Sequence, residues 1–115
     1  MRCCNMAKTY TECPVEYTAA IISNKWKTII LRELLTGTKR YNELTRSVVG
    51  ISSKVLTQNL RDLESDGIIS RTVYPEVPPK VEYTLTDKGN DLKPVIEAMR
   101  SFGIKYKELE KDINK

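Results

Sequence analysis

Residues 51–67, ISSKVLTQNLRDLESDG, admit few arrangements other than an amphipathic helix. Ser52 or Ser53 can cap its start, the side-chain oxygen accepting from a backbone N–H that the first turn leaves unpaired. Gly67 stands where a helix commonly stops, because it adopts the left-handed conformation without a Cβ penalty. Val55, Leu56, Leu60 and Leu63 recur at helical spacing and make one apolar face. Lys54, Thr57, Gln58 and Arg61 fall three and four apart on the other side, a stripe of donors. Such a helix suits a DNA major groove: Arg and Gln each make two parallel hydrogen bonds to a base edge, Thr contacts a thymine methyl, and Lys adds charge against phosphate. Any solvated surface helix also shows a polar face. The neighbouring segments must decide between the two.

The chain is 115 residues long, enough for one domain with one core and too short for two. No apolar run approaches the roughly 20 residues that span a bilayer. The first residues, MRCCNMAKTYTEC, lack the apolar segment of a secretory signal, so a cytoplasmic protein with no membrane partner is expected. The net charge of +4 permits nucleic acid as a partner without requiring it. Residues 37–85 hold seven Lys and Arg against six Asp and Glu, so a basic footprint there depends on placement.

Cysteines stand at 3, 4 and 13, and there is no histidine. An odd count in a cytosolic chain does not suggest a disulfide framework. Three thiols without a fourth Cys or a His do not complete a common zinc site. Missing histidine removes the most usual general base. There is no phosphate-cradling glycine loop and no nucleophile–base pair. No catalytic site, metal or cofactor is expected, and the chain does not read as an enzyme.

Residues 1–12 show neither helical nor strand period and are expected to form a flexible tail before a single domain over 13–115. Pro14 suits the first position of a helix, with Glu16 three residues after Cys13 as in a capping box. Val15, Ala19 and Ile22 give that helix a short apolar stripe. Ser23 and Asn24 interrupt it, and KWKTIILRELLTG predicts a second helix with Trp26, Ile29, Ile30, Leu34 and Leu35 inward and Gly37 as its stop. Trp26 is more often a core anchor than a binding platform. Residues 37–40 read as a short exposed connection. Residues 41–48 form a brief third helix, with Leu44 and Val48 four apart, and residues 49–51 turn into the donor helix. Two helices joined by a tight glycine-containing turn make a helix-turn-helix. Arg40 and Tyr41, at the start of the first of them, join the candidate DNA contacts.

After Gly67 the period becomes alternating. Ile69, Arg71 and Val73 share one side, and Val81, Tyr83 and Leu85 alternate with polar residues. Pro75, Pro78 and Pro79 between the runs mark a stiff hairpin tip. A strand pair behind a recognition helix is a wing, and Arg71, Tyr74 and Lys80 are its candidate DNA contacts; the alternative is that they decorate an exposed ribbon. Thr86 and Asp87 can cap a last helix that Pro94 kinks or breaks near its first turns. Leu92, Val95, Ile96, Met99, Phe102, Tyr106, Leu109 and Ile113 then run at three- and four-residue steps. A stripe of about 20 residues, roughly 30 Å, exceeds what a small winged helix covers, so a second copy is the expected partner. Packing back on the first helix of the same chain is the competing use for part of it.

The segments CPVE, KWKTIILRELLTGTKRYNEL and GISSKVLTQNLRDLESDGIISRTVYPEVPPKVEYTLTDKG, in this order, resemble the HxlR-type winged-helix transcription regulators, relatives of the MarR class. The resemblance covers about residues 13–106, and RTVYPEVPPKVEYTLT is its most specific part. It implies a mainly α fold with a small β-hairpin, a winged helix-turn-helix with a long C-terminal dimerisation helix. The homodimer would hold its interface at about residues 13–22 and 87–113, and two recognition helices would read double-stranded DNA at a pseudo-palindromic operator. Family members often carry Trp near the Phe102 position, so Phe102 is a mild departure. Several members use the cysteine before Pro-Val to sense oxidants, quinones or aldehydes, and Cys13 matches that position. A helix N-terminus favours a thiolate, which supports such a role, while Glu16 opposes it and a buried, inert cysteine is the rival reading. Cys3 and Cys4 could resolve an oxidised Cys13 or do nothing. On this reading Thr57, Gln58 and Arg61 read bases, and Ser52, Ser53 and Lys54 hold phosphates. The alternatives are a regulator with a small-molecule effector that needs no cysteine, and a winged helix serving only protein contacts.

Overall fold

The computed structural model describes residues 13–113, with six helices and three strands among them. The expected tail over residues 1–12, Cys3 and Cys4 included, lies outside the described residues. Helix α1 (Pro14–Ile21) starts with Pro14 at its first position and Cys13 as N-cap by backbone geometry, although the Cys13 side chain makes no capping bond. Helix α2 (Lys25–Leu34) is capped by Asn24, whose side-chain oxygen accepts from the Lys27 N–H at 3.0 Å. Helix α3 (Tyr41–Ser47) begins where the Glu43 carboxylate accepts from the Arg40 N–H at 2.9 Å. Helix α4 (Ser53–Ser65) is capped by Ser52, whose Oγ accepts from the Val55 N–H at 3.2 Å.

The end of α4 is built as the sequence suggests. Gly67 sits at φ +75°, the Gly67 N–H bonds the Glu64 carbonyl at 3.0 Å, and the Ile68 N–H bonds the Leu63 carbonyl at 2.9 Å. Those paired bonds close the helix, and the buried side chains of Leu63 and Ile68 stand on either side of the turn. The chain then enters β2 (Ile69–Tyr74), turns at the prolines and returns as β3 (Lys80–Leu85). Ile69 pairs with Leu85, Arg71 with Tyr83 and Val73 with Val81, the alternation expected of the wing.

One feature departs from the expectation. Residues 39–40 are not a plain connection. They form β1 (Lys39–Arg40), which pairs antiparallel with β3 and makes the hairpin a three-stranded sheet of order β1-β3-β2. A two-residue strand has no period of its own, and its partner is more than 40 residues away. The C-terminal helix is broken near its first turns, as expected with Pro94 there. Thr86 caps the four-residue α5 (Asp87–Asn90), and α6 (Lys93–Ile113) begins afresh. Pro94 falls at the second position of α6, where its missing N–H removes no helix bond.

The core lies where α2, α3, α4 and the sheet meet. Ile30, Leu31 and Leu34 of α2 enclose it with Leu44 and Val48 and with Leu56, Leu60 and Leu63 of α4, closed by Ile68, Ile69, Tyr83 and Leu85. Trp26, Ile29 and Leu35 pack on its margin, and Leu31 is a buried position that the inward set of α2 omitted. Val15 and Ala19 of the apolar stripe on α1 are exposed, and Ile21 is the buried residue of that helix. Gly89 packs so closely that a Cβ there would collide with the Ile68 carbonyl oxygen, which seats α5 against the start of β2.

Candidate nucleic-acid interface

Helix α4 turns Leu56, Leu60 and Leu63 into the core and leaves Ser52, Ser53, Lys54, Gln58 and Arg61 exposed beside half-buried Thr57. The donor stripe is therefore on the solvent face. The first turn of α4 holds no acidic side chain, so its unpaired N–H groups and Lys54 give that end positive character. Thr57 is partly committed already. The Tyr41 hydroxyl lies 3.0 Å from Thr57 Oγ1 and donates to the Ser53 carbonyl at 3.3 Å. Tyr41, half-buried against the core, thus braces α3 on the first turns of α4, while Arg40 beside it stays exposed.

Two of the wing candidates, Lys80 and Arg71, line clefts shared with the helix-turn-helix. Arg40, Tyr41, Lys80 and the wing-tip prolines Pro78 and Pro79 line an open cleft of about 440 Å³, with Glu76 on its rim. A second cleft, about 260 Å³, lies between α4 and the sheet and is lined by Thr57, Arg61, Glu64, Arg71 and Tyr83. Arg61 and Arg71 converge on it from different elements. Burial pushes the Tyr83 phenol up, while the Arg71 guanidinium, donating toward its oxygen, pulls it down. At the wing tip, hydrogen bonding to Glu82 and that carboxylate's charge hold the Tyr74 phenol above the usual tyrosine range. Lys80 Nζ lies 3.6 Å from Glu82 and 4.5 Å from the Tyr74 ring centre. Tyr74, Lys80 and Glu82 are one cluster, so the Lys80 cation is offset by a carboxylate next to it.

A polar clamp absent from the sequence expectations joins α2 and α4. Lys27 Nζ, on a residue only 6% exposed, lies 3.4 Å from the Asp62 carboxylate and 3.4 Å from Ser23 Oγ. Asp62 also accepts from the Gln58 side-chain amide at 3.0 Å. Buried Asn59 donates to the Val55 carbonyl at 2.8 Å and accepts from the Asn24 amide at 3.0 Å. Two signals for this were present in the sequence. Lys27 occupies an inward position beside Ile30, Leu31 and Leu34, and Asp62 follows Gln58 at the four-residue spacing that lets helix side chains meet.

Away from this face, Cys13 is buried, at 2% exposure. Leu92 and Ile96, expected in the dimer stripe, belong to the core of this chain, and Val95 packs against it. Farther along α6, Met99, Phe102, Tyr106 and Leu109 are exposed, as is Ile104; Phe102 reaches 67% exposure and lies 4.9 Å from the Tyr106 ring. Val15 and Tyr17 of α1 are exposed too.

Residues 21–111 match the HxlR-like helix-turn-helix family. The chain belongs to that family. Among HxlR-like relatives, the HTH-type transcriptional regulator YdeP of Bacillus subtilis (strain 168) is 52% identical over 96 residues, covering 84% of this chain and 75% of YdeP. The redox regulator HypR in its reduced form is 42% identical with a TM-score of 0.80, over 86% of this chain and 98% of HypR. Its oxidised form is 46% identical with a TM-score of 0.76, over 81% and 96%. The HxlR-like chain is therefore a transcriptional regulator of the helix-turn-helix type, with a winged-helix fold, and regulators of this type bind DNA. Among its described residues no helix is long and apolar enough to cross a membrane.

Proposed function

We propose that this regulator binds a pseudo-palindromic operator in the cytoplasm as a homodimer, with α4 of each copy in a major groove. The observation that carries the reading is the outward row of Lys54, Gln58 and Arg61 on a helix whose opposite face is fixed in the core. Gln58 and Arg61 read base edges, with Thr57 beside them. Ser52, Ser53, Lys54 and Arg40 meet phosphates at the start of the helix, and Arg71, Tyr74 and Lys80 follow the flanking backbone. Tyr41 contributes mainly by bracing α4. The second copy is supported by the apolar side chains that α6 leaves uncovered from Met99 to Leu109, with Val15 and Tyr17 of α1.

Fluorescence anisotropy on promoter duplexes at moderate salt tests this, with nanomolar affinity expected for the operator. Arg61→Ala lowers discrimination between operator and random duplex. Lys80→Ala weakens both alike and lowers the salt slope by about one unit. Wild-type affinity no better for promoter than for random duplex contradicts the reading.

A second reading concerns switching. Cys13 stands at the N-cap of α1, where the helix dipole favours a thiolate, and HypR, with which the chain shares its fold, is a redox regulator. Oxidation of a side chain buried this deeply displaces α1, and α1 adjoins the surface assigned to the second copy. Diamide, a quinone or an aldehyde is expected to change the DNA affinity of wild type and leave Cys13→Ser unaffected. Equal responses of the two proteins rule the switch out.

A further inference from the structure

Gln58 does not face solvent unconstrained. Its side-chain amide nitrogen lies 3.0 Å from Asp62 Oδ1, one turn along α4. A carboxylate only accepts hydrogen bonds, so it dictates which end of the Gln58 amide turns toward it: the NH2 group faces Asp62 and the carbonyl oxygen faces away. Asp62 is itself held in place, because its other oxygen lies 3.4 Å from the ammonium of buried Lys27 on α2. Lys27 has a second partner in Ser23 Oγ, and the start of α2 is tied to α4 again through Asn24 and Asn59. The pairing thus runs from a fixed cation in the scaffold to one amide on the outward face.

We infer that Asp62, anchored by Lys27, is a positioning residue that sets the hydrogen-bonding polarity of Gln58 and thereby the base it prefers. With one amide hydrogen given to Asp62, Gln58 offers outward a carbonyl acceptor and its second N–H donor. Adenine presents the complement in the major groove, an N6–H donor beside the N7 acceptor. Guanine presents two acceptors, O6 and N7, and an amide held with its oxygen outward meets O6 with a lone pair. The relay favours adenine over guanine at the base pair beneath Gln58. Without the carboxylate, the amide is free to rotate by half a turn and offer its NH2 group to guanine.

This rests on the base-reading role proposed above for Gln58, and the test separates the two. Binding of wild type, Gln58→Ala, Asp62→Asn and the double variant is measured on a duplex panel in which each operator base pair is replaced in turn. An asparagine at 62 presents both a donor and an acceptor, so it no longer dictates the orientation. The expected result is that Gln58→Ala and Asp62→Asn each lower the adenine preference at the same single position by about fivefold or more, and that Asp62→Asn has no further effect there once Gln58 is alanine. Preference at all other positions stays as in wild type, which a general loosening of α4 does not produce. If Asp62→Asn is unstable because Lys27 is left without its carboxylate, Lys27→Met with Asp62→Asn removes the charge together with its partner and carries the same prediction. If Gln58→Ala relaxes one position and Asp62→Asn leaves that position unchanged, the relay is wrong and the base-reading role stands. If Gln58→Ala changes no base preference, the base-reading role falls and the relay with it.

Discussion

Tyr83 shows how one side chain serves both the core and the cleft between α4 and the sheet. Its ring is buried against the core while its hydroxyl meets Arg71, opposite it across the sheet. Burial raises its pKa, so the fold favours the protonated phenol. That contribution is complete below the ordinary tyrosine value of about 10 and is lost as pH rises through the folded value. Urea unfolding between pH 9 and 11 is expected to show stability falling less steeply in Tyr83→Phe than in wild type; equal slopes contradict the assignment. Residue-level roles were unevenly legible in the sequence. The exposure of Lys54, Gln58 and Arg61 followed from helical spacing, because Leu56, Leu60 and Leu63 leave them no other direction. Lys27 was missed because a lysine inside an apolar pattern reads as a surface residue until its partner is known, and Asp62 lies 35 residues away on another helix. The Tyr41 hydroxyl bonds Ser53 and Thr57, a pairing that local sequence does not encode.

At the scale of elements, the boundaries that local chemistry sets were readable, and those set by distant partners were not. Ser52, Gly67 and the wing prolines carry their own conformational preferences, so the start and end of α4 and the turn between β2 and β3 were expected where they occur. Strand β1 exists only because β3 offers it hydrogen bonds, and α5 is a separate element because Thr86 caps it and its chain is pinned against Ile68. Thr86 Oγ1 donates to the Gly67 carbonyl at 2.6 Å and accepts from the Gly89 N–H at 3.1 Å. Gly89 then has to lie against the Ile68 carbonyl with no room for a methyl group. Gly89→Ala is expected to destabilise by about 1–3 kcal/mol, the range for forcing atoms into a filled site, although alanine is the better helix former. Thermal unfolding compares the two, and a variant as stable as wild type contradicts this packing.

At the scale of the molecule, α6 divides its work along its length. Ile96, with Leu92 just before the helix, joins the core, whereas Met99, Phe102, Ile104, Tyr106 and Leu109 are exposed. The sequence showed one uninterrupted stripe because periodicity records which face is apolar and not which part the rest of the chain covers. Phe102→Asp places a charge in the middle of the uncovered part and touches nothing in the core. Sedimentation is expected to show a dimer for wild type and a monomer for this variant with an unchanged fold by circular dichroism. A Phe102→Asp dimer as tight as wild type places the interface elsewhere. In the proposed function dimerisation and base reading come together in the operator, since two copies of α4 related by a twofold axis would require an inverted repeat with half-sites about one helical turn apart. Selection from a random duplex library with the wild-type protein tests this most directly. Enrichment of one pseudo-palindrome with that spacing is expected, and recovery of duplexes with no common sequence contradicts the proposed function.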